Sequence, residues 1–176
     1  MKRLIWITLL LSVSLFVKAQ NGEAIDELFR KYAGKEGITS VFISNKMLGM
    51  FSSGVTKEQD IDNLVSKLKS IRILTVEDST LNRSVNFYTE LKQKADFSVY
   101  EELMSVNDAD NVTRFLVRYS GKTIDELLII SGGSKDNALI SIRGDLDLKS
   151  ISGLSKKMGI QQLEELDKLD RKPEKK

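Results

Sequence analysis

Between Phe97 and Arg143 the chain offers four β-favouring runs whose gaps are too short for any connection except a hairpin. Their cores are Val99–Val106, Val112–Tyr119, Ile124–Ile130 and Ala138–Arg143. The gaps are Asn107-Asp108-Ala109-Asp110-Asn111, then Ser120-Gly121-Lys122-Thr123, then Ser131-Gly132-Gly133-Ser134-Lys135-Asp136-Asn137. A parallel return needs a crossover of roughly a dozen residues, so these strands can only be antiparallel neighbours. Gly, Asn and Asp in each gap are the residues that turn chemistry favours.

Alternation assigns faces within the meander. Thr113, Phe115, Val117 and Tyr119 share one side, and Arg114, Leu116 and Arg118 share the other, which implies one covered face. Leu127-Leu128-Ile129-Ile130 is apolar on both sides, so its strand should be central with its outer side partly covered. Two earlier runs, Ile38–Ile43 and Ile71–Val76, are free to join the same sheet in an order the sequence leaves open.

Helical spacing marks the rest. Ile25, Leu28, Phe29 and Tyr32 form a stripe over Ala24–Tyr32; Ile61, Leu64, Val65 and Leu68 do so over Glu58–Ser70, with Thr56 and Gln59 as a capping box. Leu81, Val85, Tyr88, Leu91 and Ala95 predict one helix over Thr80–Ala95, capped by Asp78 or Ser79. Ile151, Leu154 and Met158 begin a last stripe that Gly159 interrupts and Ile160, Leu163, Leu166 and Leu169 resume. Lys46–Phe51 fits a short helical turn or a loop. The class is α+β, with helices packed on a mainly antiparallel sheet containing a four-strand meander in the C-terminal half.

The amino terminus reads as an export signal. Lys2 and Arg3 precede the apolar run Leu4–Val17, and Val17-Lys18-Ala19 suits cleavage ahead of Gln20. The expected organisation is a cleaved signal over residues 1–19, a single domain over 20–170 and a disordered tail over 171–176, with a periplasmic or secreted destination. No cysteine is present to carry a lipid anchor or a disulfide. Without Lys2, Arg3 and Lys18, 24 of the 27 basic residues face 25 acidic ones, a net charge of −1 that gives no footprint for nucleic acid. No transmembrane span is expected after cleavage, and the Lys168–Lys176 end reads as a solvated terminus.

Reactive side chains are few. The chain has no histidine and no cysteine, which excludes Ser-His-Asp and Cys-His catalysis and zinc held by imidazole or thiolate. Asn107, Asp108, Asp110 and Asn111 form the best oxygen cluster, with Asp108 and Asp110 a weak metal candidate. It lacks the Gly and the closing Glu of a calcium loop, so a turn is the better reading. Ser131-Gly132-Gly133-Ser134-Lys135 has the wrong spacing for a phosphate loop and reads as a hairpin. Asp145 and Asp147 suit the cap of a helix over Leu148–Met158. In Arg143-Gly144-Asp145 the glycine is expected to let the chain turn. Glu101 and Glu102, adjacent on a strand, point to opposite faces and make a poor acid–base pair. Met47, Leu48, Met50 and Phe51 form an apolar cluster that either packs over the core edge or offers a contact patch to a partner.

The order of an export signal ending in Ala-Gln, a short helix of the Ile25–Tyr32 type, the strand Ile38–Ser44 and the ending Leu139-Ile140-Ser141-Ile142-Arg143-Gly144-Asp145-Leu146-Asp147-Leu148 resembles the bacterial domain-of-unknown-function family 4252. Its members are small exported proteins, and the resemblance implies no catalytic motif. The resemblance also implies a genomic neighbourhood with extracytoplasmic-function sigma factors, and through it a place in envelope signalling. The expected function is a non-enzymatic envelope module, without cofactor, that binds an unknown envelope protein or small ligand. A hydrolase using carboxylates or a Ser/Lys pair, and a structural envelope component, are the alternatives.

Overall fold

The computed structural model describes residues 17–52 and 66–146, and at residues 17–21, 51 and 52 only their place in a helix. The elements are α1 (Val17–Tyr32), β1 (Ile38–Ser44), α2 (Asn45–Ser52), β2 (Leu68–Val76), α3 (Ser79–Ser84), α4 (Phe87–Lys94), a 3-10 turn (Phe97–Val99), β3 (Glu101–Asn107), β4 (Asn111–Ser120), β5 (Thr123–Gly133) and β6 (Ala138–Leu146). The leader residues 1–16, the expected helix as far as residue 65, Asp147, the last stripe and the 171–176 tail lie outside the described residues.

All six strands form one antiparallel sheet in the order β1-β2-β6-β5-β4-β3. The meander expected from the short gaps is β3 to β6. It runs back across the sheet, so the last strand slots beside β2 and becomes, with β5, a central strand. Leu127, Leu128, Ile129 and Ile130 have no exposed surface, as do Leu139, Ile140 and Ile142 on β6.

Both faces of this centre are buried, where alternation in β4 alone implied one. On one side Ile25, Leu28, Phe29 and Tyr32 of α1, with Phe87 and Leu91 of α4, cover Leu74, Leu116, Leu128, Ile130 and Leu139. On the other, Ile71, Phe115, Val117, Leu127, Ile129, Ile140 and Ile142 form a second cluster that Leu48 of α2 joins. Each such side chain contributes roughly 1.5–3 kcal/mol when fully buried. Arg114 and Arg118 therefore rise toward the helix side instead of into open solvent.

Several boundaries differ from the sequence expectation. The single helix over Thr80–Ala95 is two, because Val85 and Asn86 are extended. Asp78 Oδ1 accepts from the Leu81 amide at 2.7 Å and Asn86 Oδ1 from the Thr89 amide at 2.8 Å, so each piece has its own cap. The Asn137 side chain enforces the break: its Oδ1 accepts from the Phe87 amide at 2.9 Å, and its Nδ2 donates to Asn82 Oδ1 at 3.0 Å and to the Gly133 carbonyl at 2.8 Å. Periodicity carried by Val85 and Tyr88 could not show a tether fifty residues away. Lys46–Phe51 is helical, within α2. Leu68, at helical spacing with Leu64, is instead the first residue of β2 and fully buried.

Gly144 does not turn the chain. It lies inside β6, where the pairing with β2 shifts register, and a Cβ there would meet the Lys67 carbonyl oxygen at 2.5 Å. The glycine is needed for close strand approach. Gly121, with φ +66°, serves the β4–β5 turn as a glycine should.

Candidate functional site

A carboxylate sits where only apolar side chains are expected. Glu126 directly precedes the apolar run Leu127–Ile130 of β5 and has no exposed surface. Its Oε1 accepts from Ser141 Oγ at 2.7 Å and from Arg143 Nε at 2.8 Å; its Oε2 accepts from the Tyr100 hydroxyl at 2.9 Å and pairs with Arg118 Nη1 at 2.9 Å. A buried charge survives only with partners of this kind, and here both oxygens are doubly satisfied.

The neighbours are gathered from separate strands by register. Glu126 stands opposite Arg143 on β6 and Arg118 on β4, and Tyr100 leads into β3. A bulge brings Asp125 to the same guanidinium: β5 shifts register between Ile124 and Glu126, and Asp125 accepts from Arg118 Nε and Nη2 at 3.1 Å. Burial opposes the charge on Arg118, but the Asp125 hydrogen bond and the Glu126 charge outweigh it and hold its pKa above the usual guanidinium value. Burial first, and then the Glu126 charge, push the Tyr100 phenol well above its ordinary range.

Arg143 links this knot to the surface. Its Nη2 is buried, has no hydrogen-bond partner among the described residues, and lies 3.9 Å from Asp26 Oδ1 of α1. The same side chain helps line an open groove of about 430 Å³ between α1 and β1, with Phe29, Arg30, Ser40, Phe42 and Arg72. Arg72 is fixed twice: its guanidinium stacks 4.0 Å over the Phe29 ring and it forms an ion pair with Asp26. Three arginine side chains therefore line one open groove, with Asp26 paired to Arg72 and Glu126 sealed behind Arg143. Such a groove can take a carboxylate or phosphate oxygen from an outside molecule by charge-assisted hydrogen bonds.

The residues singled out from the sequence lie elsewhere. Met47 and Met50 of α2 are exposed, at 47% and 72%, whereas Leu48 between them is buried in the second core cluster. For Phe51 only its place in α2 is described. Asp108 and Asp110 sit on the β3–β4 turn with the Lys135 ammonium at 3.6 and 3.4 Å. Asp108 Oδ1 accepts from the Asp110 amide at 2.8 Å, the side chain-to-backbone bond of an Asx turn. That hydrogen bond first, with Lys135 adding to it, holds the Asp108 carboxyl below its usual value. Glu102 pairs with Arg114 across the β3–β4 ladder.

The family model described as "Domain of unknown function (DUF4252)" matches residues 32–154. The chain belongs to this family. No curated protein matches it, and no solved structure does. The match starts at Tyr32, so α1, which supplies Phe29 and Arg30 to the groove, precedes the DUF4252 match almost entirely. No helix among the described residues is long and apolar enough to cross a membrane.

Sequence reasoning missed Tyr100, Arg118, Glu126, Ser141 and Arg143 as a group. One signal was present: by alternation Glu126 shares a face with Leu128 and Ile130, and a carboxylate on so apolar a face must find cations or be neutralised. Which arginines answer it depends on strand order and on the bulge at Asp125, neither of which spacing reveals.

Proposed function

We propose that this DUF4252 member is a non-catalytic binding module exported to the cell envelope, with the arginine-lined groove as the place where an anionic ligand docks. The observation that carries this reading is Arg143, a residue of the groove wall whose buried Nη2 has no hydrogen-bond partner among the described residues. An unmet donor of this kind ordinarily costs about 1–3 kcal/mol, and a ligand oxygen would remove that cost. Arg72 and Arg30 supply the remaining positive field, and Phe42 gives the ligand an apolar edge to lie against. Glu126, the one buried carboxylate among the described residues, faces arginines, a phenol and a hydroxyl, and is sealed from any substrate.

Export is supported by the leader pattern and by the position of α1's core residues. The described core begins at Ala24, so a cut ahead of Gln20 removes none of it. A place in envelope signalling follows from the family resemblance.

Titration calorimetry with inorganic phosphate tests the groove. Saturable binding that falls about tenfold in Arg72→Gln, the loss of one charge-assisted hydrogen bond, is the expected result. Unchanged affinity in that variant would remove the groove as the site. Amino-terminal sequencing of protein from the envelope or medium should begin at Gln20; an uncut chain confined to the cytoplasm would end the export reading.

A further inference from the structure

We propose that β1 is the docking edge for an extended, acid-bearing segment of a partner protein, which adds as a seventh strand and places a carboxylate in the arginine-lined groove. The proposal rests on the groove reading above and names the partner's chemistry.

Among the described residues β1 ends the sheet, and no strand pairs with its outer side. The phase of the ladder shows which of its amides are available. The Val76 amide bonds to the Asn137 carbonyl, on the β6 side of β2. By alternation Leu74, Arg72 and Ser70 also face β6, while Thr75, Ile73 and Ile71 face β1. Their partners Thr39, Val41 and Ile43 are therefore used within the sheet. Ser40 and Phe42 turn their N–H and C=O groups outward, and Ser44, which caps α2, turns out its N–H. Ser40 and Phe42 also line the groove. Of the three β1 residues that line the groove, Ser40 and Phe42 have outward backbone groups and Val41 does not, so an incoming strand would project every second side chain to the groove's side of the sheet.

The two edges of the sheet are treated differently. β3 carries Glu101 and Glu102 and has a register break between Glu102 and Met104, features that discourage edge pairing. β1 reads ITSVFIS, with no charge and no proline, and keeps unbroken register over its seven pairs with β2. Phe42 is 68% exposed and Val41 37%. A flat, uncharged edge with an exposed aromatic is the form used for strand addition. Charge complementarity selects the occupant: among the described residues that line the groove Arg30, Arg72 and Arg143 are charged and none is acidic, which favours acidic side chains at the alternate positions.

The test uses a synthetic nine-residue peptide of alternating Thr and Val with Glu at two groove-side positions. Its controls are a Gln counterpart and a version N-methylated at alternate amides, which cannot pair with an edge. The Glu peptide should bind and slow hydrogen exchange at the amides of Ser40, Phe42 and Ser44; the Gln peptide should bind about tenfold more weakly and the N-methylated one not at all. Equal binding by the N-methylated peptide, or no protection at those three amides, overturns strand addition. Protection without peptide that grows with protein concentration would assign the edge to a second copy of this chain and overturn it as well. If phosphate binds and the peptide does not, strand addition fails and the groove reading stands; if neither binds, the groove reading itself fails.

Discussion

Arg143 Nε donates to Glu126 Oε1 at 2.8 Å, and this one bond joins a carboxylate with no exposed surface to the wall of an open groove. The carboxylate holds the guanidinium through its Nε, and the Arg143 side chain is thereby fixed at the groove wall. Core and candidate site are in this sense one structure, since the interior charge orients the surface one.

Glu126→Ala should destabilise the fold by about 3–5 kcal/mol, because it strands Arg118 and Arg143 without their shared partner. Glu126→Gln, which keeps the shape and part of the hydrogen bonding, should cost less. Urea unfolding of both variants checks this, and a loss under about 1 kcal/mol for the alanine variant would mean the network is dispensable.

Asn137→Ala should act across the molecule from its position in the β5–β6 connection. It leaves the Phe87 amide and the Asn82 side-chain oxygen without this partner, each at about 1–3 kcal/mol if no other partner is found. Hydrogen exchange should rise first at α3 and α4, whose junction the side chain holds.

Two glycine substitutions should move stability in opposite directions. A Cβ on Gly133 would sit 2.7 Å from the Asn111 Cα, so Gly133→Ala must force the β4 and β5 backbones apart. Gly49 in α2 has nothing within 4 Å of that position, and Gly49→Ala should add about 1 kcal/mol through helix propensity. Thermal unfolding of the pair separates close packing from conformational freedom.

Alkaline pH should weaken the fold through Tyr100. Its phenol is raised by burial and by the Glu126 charge, partly offset by Arg118 and Arg143, so the folded state favours the neutral form. That stability is present below the ordinary tyrosine value near 10 and is lost as pH climbs above it. Tyr32 is raised in the same direction, by burial first and then by Glu90. Absorbance titration of phenolate should show a late-ionising component that Tyr100→Phe removes.

How much of this was legible follows from the range over which each cause acts. The β3–β6 meander was readable because a turn of four to seven residues dictates its own geometry. The stripe Ile25, Leu28, Phe29 and Tyr32 was readable because helix period and burial coincide. The split at Val85-Asn86 was not, since its cause is Asn137. Leu48 shows the limit of pattern within one short helix: it shares an apolar cluster with Met47 and Met50, yet only the fold decides that it turns inward. Glu126 was visible as an anomaly, but its partners come from β3's approach, β4 and β6. Met47 and Met50 remain exposed apolar residues beside the sheet edge, next in sequence to the strand proposed to dock a partner.

The most direct test of the account is a side-chain NMR titration that follows arginine Nε resonances during addition of inorganic phosphate. Arg30, Arg72 and Arg143 should shift together and saturate at one phosphate concentration, while Arg83 on α3 and Arg114 on β4 stay in place. Uniform small shifts at all five arginines, or none at Arg143, would contradict a groove built to hold an anion.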